Sequence, residues 1–289
     1  MIVVNMPSPR LLLLPVLWLA TMLSMEARIL VHGHRGARAA RPENTIPAFE
    51  YAIAQGVDVL ELDVAVTKDD VLVVSHDPEM SKEFCTGPAG AKSRIIREMT
   101  LAELRLWDCG GKANPAFPKQ QAVPGTRVPT LDEVFALAPK GRFEFNVETK
   151  IFPQRPSVTP APERFAGLML AAIRKHKLEK RVIVQSFDFR TLKVLHKTAP
   201  EIRLSALLAY PQQDFVDSAK EAGAGIVSPN VKLVTAEKVK AAHAAGLQVV
   251  PWTANTPEEW KMLADAGSDA IISDDPAALI AWLKQRRPH

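Results

Sequence analysis

Apolar residues in this chain gather into short, largely β-branched runs, and between the later runs the apolar spacing switches from strand-like to helical. Strands are predicted at 28–33, 57–66, 142–148, 181–185, 203–208, 225–228, 248–253 and 270–273. Helices are predicted between them, among them 46–55, 131–138, 163–177, 235–245 and 257–266. ThrXaaXaaGlu at Thr100 and at Thr130 reads as a capping box that opens a helix. Eight strand–helix units predict an α/β fold, a closed (β/α)8 TIM barrel in preference to an open sheet. From 78 to 129 the pattern dissolves into Gly, Pro and polar residues and reads as an insertion.

One further run, 71–75, breaks the alternation. Only LysAspAsp parts it from the preceding strand, too short a link for the crossover that parallel strands need, so the two runs should fold back as an antiparallel hairpin. With Asp69 and Asp70 as the two turn residues, Lys68 faces Val71 and the ladder places Asp63 opposite His76. Glu61 and Asp63 share one face, because strand side chains alternate. A polar rim facing water would explain them. So would a metal, since two neighbouring carboxylates are costly to desolvate without a cation. His34, Glu61, Asp63, Glu148, Gln185 and Trp252 all fall at or near the carboxyl ends of predicted strands, the end where such barrels carry their active sites.

Composition narrows this picture only a little. At 289 residues and a formal charge of +4 the chain is mildly basic, and no aromatic-basic stripe supports nucleic-acid binding. Residues 1–27 read as a secretory signal peptide, with Arg10 ahead of the apolar run Leu11 to Leu23, small residues after it and cleavage expected after Ala27. The run is short for a membrane span. A periplasmic or secreted protein is expected, with residues 28–289 forming a single barrel domain. Cys85 and Cys109 are the two cysteines, and in an exported protein such a pair favours a disulfide. Neither GxSxG around Ser186 nor a nucleotide fingerprint at Gly33 and Gly36 is present. His32 is expected to be structural or to lie behind the site, and His176, His196 and His243 to lie on the surface.

Five segments, GHRGARAARPENTIPAFEYA, ELDVAVTKDDVLVVSHD, NVETK, VIVQSFD and VVPWTANTPEEWKMLADAGSDAIISDDP, resemble in this order the glycerophosphodiester phosphodiesterase family. The resemblance implies a TIM barrel and a small glycerophosphodiester substrate such as glycerophosphocholine, cleaved to glycerol 3-phosphate and an alcohol. It implies a divalent cofactor, Ca2+ or Mg2+, on Glu61, Asp63 and Glu148, with His34 and His76 as the acid–base pair. Arg35 falls at the phosphate-binding position with Lys150 beside it, Glu43 at a further polar position, and Trp252 where the family has an aromatic lining the cleft; Gln185, at the end of its predicted strand, is also expected to meet substrate. Asp70 departs from the AspGly usual at the hairpin turn. The chemistry is coherent without the family: a phosphodiester is an anion that repels nucleophiles, so oxygen-ligated cations and basic side chains would offset the charge that develops. Two alternatives stay open: a related barrel phospholipase C or D acting on intact lipid, and an exported protein that binds a phosphorylated solute without turnover. No membrane-docking stretch survives removal of 1–27, and a mere binder has no need of two histidines.

Overall fold

The computed structural model describes residues 1–2 and 28–286. Residues 3–27 of the proposed signal peptide lie outside the described residues. In chain order the elements are β1 (Leu30–Gly33), α1 (Ile46–Gln55), β2 (Val59–Val66), β3 (Leu72–Val74), α2 (Leu101–Leu104), α3 (Leu131–Phe135), β4 (Glu144–Thr149), α4 (Pro162–Lys175) and β5 (Val182–Ser186). There follow α5 (Phe189–Thr198), β6 (Arg203–Leu208), α6 (Phe215–Ala222), β7 (Ile226–Pro229), α7 (Ala236–Ala244), β8 (Gln248–Val249), α8 (Pro257–Asp265), β9 (Ala270–Ser273) and α9 (Pro276–Arg286).

Eight parallel strands run around the sheet in the order β8, β7, β6, β5, β4, β2, β1, β9. Three backbone bonds then join β9 to the β8 segment: Asp269 N to Val249 O at 3.0 Å, Ile272 N to Pro251 O at 3.0 Å and Ala254 N to Ile272 O at 3.1 Å. The ring is a TIM barrel with helices outside. Its main core lies between the two layers, where Phe49, Phe135, Phe145, Phe165 and Phe215 are fully buried. The eighth strand is shorter than the expected 248–253, because Pro251 has no N–H to donate. Its neighbours still pair, Val250 N with Val227 O at 2.9 Å and Trp252 N with Pro229 O at 3.0 Å.

β3 pairs antiparallel with β2 in the expected hairpin, but the register differs by one residue. Val66 faces Leu72 and Val64 faces Val74, which sets Ser75, not His76, opposite Asp63; Ser75 N donates to Asp63 O at 3.0 Å. The turn has three residues, Lys68 to Asp70, closed by Thr67 N to Val71 O at 3.0 Å, and Asp70 takes a left-handed φ of 58°. A three-residue loop ending in that conformation is a standard hairpin solution, and it displaces the two-residue turn expected from Asp69 and Asp70.

Residues 78–129 pack a satellite core of their own, with Met80, Ile96, Met99, Leu104, Trp107 and Val128 buried against Ala65 and Val73 on the outer face of the hairpin. Both capping boxes form, Thr100 with Glu103 and Thr130 with Glu133. Cys85 and Cys109 are disulfide-bonded, with Cα atoms 4.0 Å apart. The segment also reaches the first barrel loop, where Gln120 Nε2 donates to Arg38 O at 2.6 Å and Gln121 N to Ala40 O at 3.0 Å.

Candidate active site

The carboxyl end of β1 runs into a tight loop whose conformation depends on Gly36. Its φ is +84°, and a Cβ there would lie 2.8 Å from the backbone carbon of Ala48 at the start of α1. Arg35 and Asn44 in the same loop also have positive φ, 50° and 57°. Non-glycine residues held this way cost on the order of 1–3 kcal/mol each and collect at functional sites, where the surroundings over-determine them. Here the surroundings are acidic. Arg35 N donates to Glu61 Oε2 at 2.8 Å, Arg35 Nη1 to Glu43 Oε1 at 2.5 Å, and Asn44 Nδ2 to Asp63 Oδ2 at 2.9 Å.

Glu61 and Asp63 on β2 and Glu148 on the neighbouring β4 are all buried, and each offers a carboxylate oxygen within 4.8 Å of the others. Asp63 and Glu148 are register partners across the two strands, so the alternation of side chains puts them on the same inner face. Burial, together with the charge of Asp63, raises the Glu61 carboxyl well above its ordinary range. Burial also raises Glu148, although Lys150 opposes it. Asp63 moves the other way: burial favours its neutral form, but His76, Arg35, Lys150 and the Asn44 amide together outweigh that and lower it. A buried trio that resists carrying three negative charges is a site that a divalent cation would relieve, and an all-oxygen donor set suits Ca2+ or Mg2+.

Positive charge stands on two sides of the trio. Lys150 Nζ lies 2.8 Å from Glu148 and 3.7 Å from Asp63, and Arg35 Nε lies 3.3 Å from Asp63. Glu43 bridges Arg35 to Arg38, whose Nη2 is 2.9 Å away, so it orients the guanidinium groups from the rim. His34 Nε2 is 4.0 Å from Glu61. His76 lines the same cleft from the far end of the hairpin arm and pairs with the adjacent Asp77 at 2.8 Å. The one-residue slip does not remove it, because the chain leaves the ladder after Val74. Trp252 donates Nε1 to Ser228 O at 2.8 Å and packs edge-on against Phe187 at 5.4 Å, forming the apolar wall. Gln185 lines the cleft too, but its amide lies beneath the trio: Nε2 donates to Glu61 at 2.8 Å and Oε1 accepts from Asn146 at 2.9 Å.

Eight of the ten residues expected in the site line one cleft of about 240 Å³ at the carboxyl end of the barrel, and Glu43 and Lys150 reach it through their ion pairs, Glu43 with Arg35 and Lys150 with Asp63 and Glu148. A larger cavity of about 490 Å³ opens at the opposite end. It holds His32 and none of those ten residues, so size alone points the wrong way. Four residues escaped the sequence reading: Arg38, Phe187, Asn255 and Asp274. Each is polar or aromatic within a quoted motif, yet nothing in the local pattern sets it apart. His176 is half-buried, not on the surface, and pairs with Asp132 at 2.8 Å, whereas His196 and His243 are exposed.

The family model for the glycerophosphoryl diester phosphodiesterase family matches residues 34–278. The chain belongs to this family. A glycerophosphodiester phosphodiesterase of Caldanaerobacter subterraneus subsp. tengcongensis is 33% identical over 89% of this chain and 99% of its own length. A solved structure from Silicibacter pomeroyi is 32% identical, with a TM-score of 0.83 over 90% of this chain and 94% of that one. An Oleispira antarctica phosphodiesterase, solved in complex with the product sn-glycerol-3-phosphate, shares the fold at 22% identity and a TM-score of 0.76, over 88% of this chain and 96% of that one. Within the family's barrel, the loop from His34 to Asn44 is tied to the strand ends through Arg35 N on Glu61 and Asn44 Nδ2 on Asp63.

Proposed function

We propose that this protein hydrolyses glycerophosphodiesters to glycerol 3-phosphate and an alcohol, using a divalent cation and a pair of histidines. The observation that carries this reading is the buried Glu61, Asp63 and Glu148 trio, set between two imidazoles and two basic side chains in a single cleft. Glu61, Asp63 and Glu148 would hold Ca2+ or Mg2+, which when bound polarises a phosphoryl oxygen and offsets its charge. Arg35 and Lys150 add fixed positive charge where the phosphoryl group gains negative charge in the transition state. His34 and His76 are placed to move protons: one takes a proton from the attacking hydroxyl and the other gives one to the departing alkoxide. Trp252 and Phe187 offer an apolar wall to the carbon skeleton of the substrate. The substrate is small and soluble. Among the described residues no helix is long and apolar enough to cross a membrane. The Cys85–Cys109 bond supports a periplasmic or secreted location, since disulfides persist in oxidising compartments.

Glycerophosphocholine turnover before and after chelation tests the reading. Activity should vanish on chelation and return with Ca2+ or Mg2+, and His34→Ala or His76→Ala should lower the rate by roughly 10²–10⁴-fold without loss of cation binding. Unchanged turnover after chelation, or full activity in both histidine variants, would sink it. Comparable turnover of phospholipid micelles would point instead to a lipase-type role.

A further inference from the structure

The sequence reading assigns no partner to His34, yet the structure supplies one from the far end of the chain. Closure of the barrel lays β9 beside β1, with Gly33 opposite Ser273 and His34 N bonded to Ser273 O at 2.9 Å. The next residue, Asp274, is buried and brings Oδ1 to 2.5 Å from His34 Nδ1. Asn255, on the loop after β8, grips that aspartate from behind: its Nδ2 donates to Asp274 Oδ2 at 2.7 Å, and its Oδ1 accepts from Asp274 N at 2.9 Å. Arg38 Nε lies 3.8 Å from Oδ1.

We propose that Asp274, held by Asn255, is the positioning residue of His34, fixing the imidazole ring so that Nε2 is presented to the cation pocket and the phosphoryl group. An ionised carboxylate can only accept, so the Nδ1 atom facing it carries a proton. In the neutral ring this leaves Nε2 with its lone pair on the cleft side, toward Glu61. Burial works against an ionised Asp274, but its bond to His34 and the charges of His34 and Arg38 prevail and keep its carboxyl below the usual range. The two histidines are thus held very differently. His76 leans on Asp77, its own neighbour in sequence, whose side chain is 65% exposed, whereas the partner of His34 is locked in the barrel wall. The arrangement follows the logic of a Ser-His-Asp triad, in which the buried aspartate sets tautomer and orientation without being protonated itself.

The inference rests on the catalytic reading of His34, so its test needs a readout independent of turnover. Long-range 15N–1H NMR of the wild-type protein, free of metal and substrate, should show His34 protonated at Nδ1. A ring protonated at Nε2 alone would overturn the proposal even if no variant folds. Asp274→Asn keeps the shape and can keep one bond to Asn255, but can donate to Nδ1 and so invert the tautomer. Its kcat should fall by roughly 10²–10⁴-fold, while KM and Ca2+ or Mg2+ affinity stay within about threefold. Asp274→Glu should recover part of the loss. A purely structural aspartate would instead lower the melting temperature and leave the His34 spectrum and kcat in place, which overturns the proposal. A fully active His34→Ala enzyme would remove the catalytic reading beneath it. That outcome is distinguishable, because the wild-type tautomer spectrum would still show Nδ1 protonated.

Discussion

His32 and His34 stand two residues apart on the same face of β1, yet they meet opposite ends of the barrel interior. His34 looks into the cleft, whereas His32 is 1% exposed above the lower cavity, and its Nδ1 finds no hydrogen-bond partner among the described residues. Burial, with a further contribution from the charge of Arg203, lowers the His32 pKa to about 3 from an ordinary 6.5. The unfolded chain therefore binds a proton there that the folded chain refuses. Stability from this group is complete above about pH 6.5 and is lost progressively as the pH falls toward about 3, by an amount on the order of a few kcal/mol. Glu61 and Glu148 have raised carboxyl pKa values and so contribute with the opposite sign over the acid range. A comparison between variants separates the two effects. His32→Gln should flatten the fall in urea midpoint between about pH 7 and about pH 4 relative to wild type; parallel curves would show that His32 is not the acid-sensitive group. The acids at 61 and 63 could be picked out in the sequence because strand alternation within one run gives them a common face. Asp274 could not, because its meaning comes from a partner 240 positions away that only ring closure brings near.

The β2–β3 hairpin shows how turn geometry, more than apolar pattern, sets register. Both runs and their antiparallel pairing could be read from the sequence, but the turn holds Asp70 at φ 58°, and this third loop residue shifts every pair by one. That conformation favours glycine, so an aspartate must be compensated. Arg97 Nη1 donates to Asp70 Oδ1 at 2.7 Å and Arg164 Nη2 to Oδ2 at 2.9 Å, tying the turn to residue 97 of the insertion and to α4. These contacts lower the Asp70 carboxyl pKa through hydrogen bonds from Arg164 and Arg97, but the side chain is 32% exposed and screening limits their worth. Asp69 makes the same junction from the other side, its Oδ1 accepting from Leu101 N at 3.0 Å where α2 begins. Asp70→Gly relieves the backbone while losing both ion pairs, so its stability should stay within about 0.5 kcal/mol of wild type, whereas Asp70→Ala loses the pairs and keeps the strain at a cost of about 1–2 kcal/mol. Urea unfolding decides. Equal losses in the two variants would mean that the arginine contacts, and not the backbone, govern the turn. The eighth strand failed to reach its expected length for a similarly local reason: Pro251 interrupts the ladder, while the apolar pattern runs straight through it.

At the scale of the molecule, the barrel and the segment 78–129 are two packing units joined along the hairpin. The main core fills the space between strands and helices, and the satellite core sits outside β2 and β3 with the disulfide at its edge. The eight-strand ring was legible because each βα unit repeats the same change of period. The satellite core was not, since its apolar residues are scattered among Gly, Pro and polar positions with no period at all. The Cys85–Cys109 bond closes a loop with a sequence separation of 24, which in the chain-entropy account stabilises by about 3 kcal/mol. None of Glu61, Asp63, Glu148 or His34 lies in that loop, and all sit at the ends of parallel strands that pair without it. His76, Glu43 and the disulfide, however, line one small cavity between the arm and the segment. Loosening the bond should therefore act on the rim and spare the barrel. In a Cys85→Ser/Cys109→Ser double variant, amide exchange should quicken across 78–129 while the strand amides of β4 to β7 keep their protection. Glycerophosphocholine kcat should fall, since His76 gains freedom at the rim, while Ca2+ or Mg2+ affinity stays unchanged because the cation pocket is intact. Loss of protection in the barrel strands together with the segment would show that both belong to one cooperative unit, and that the disulfide holds the whole fold and not its rim.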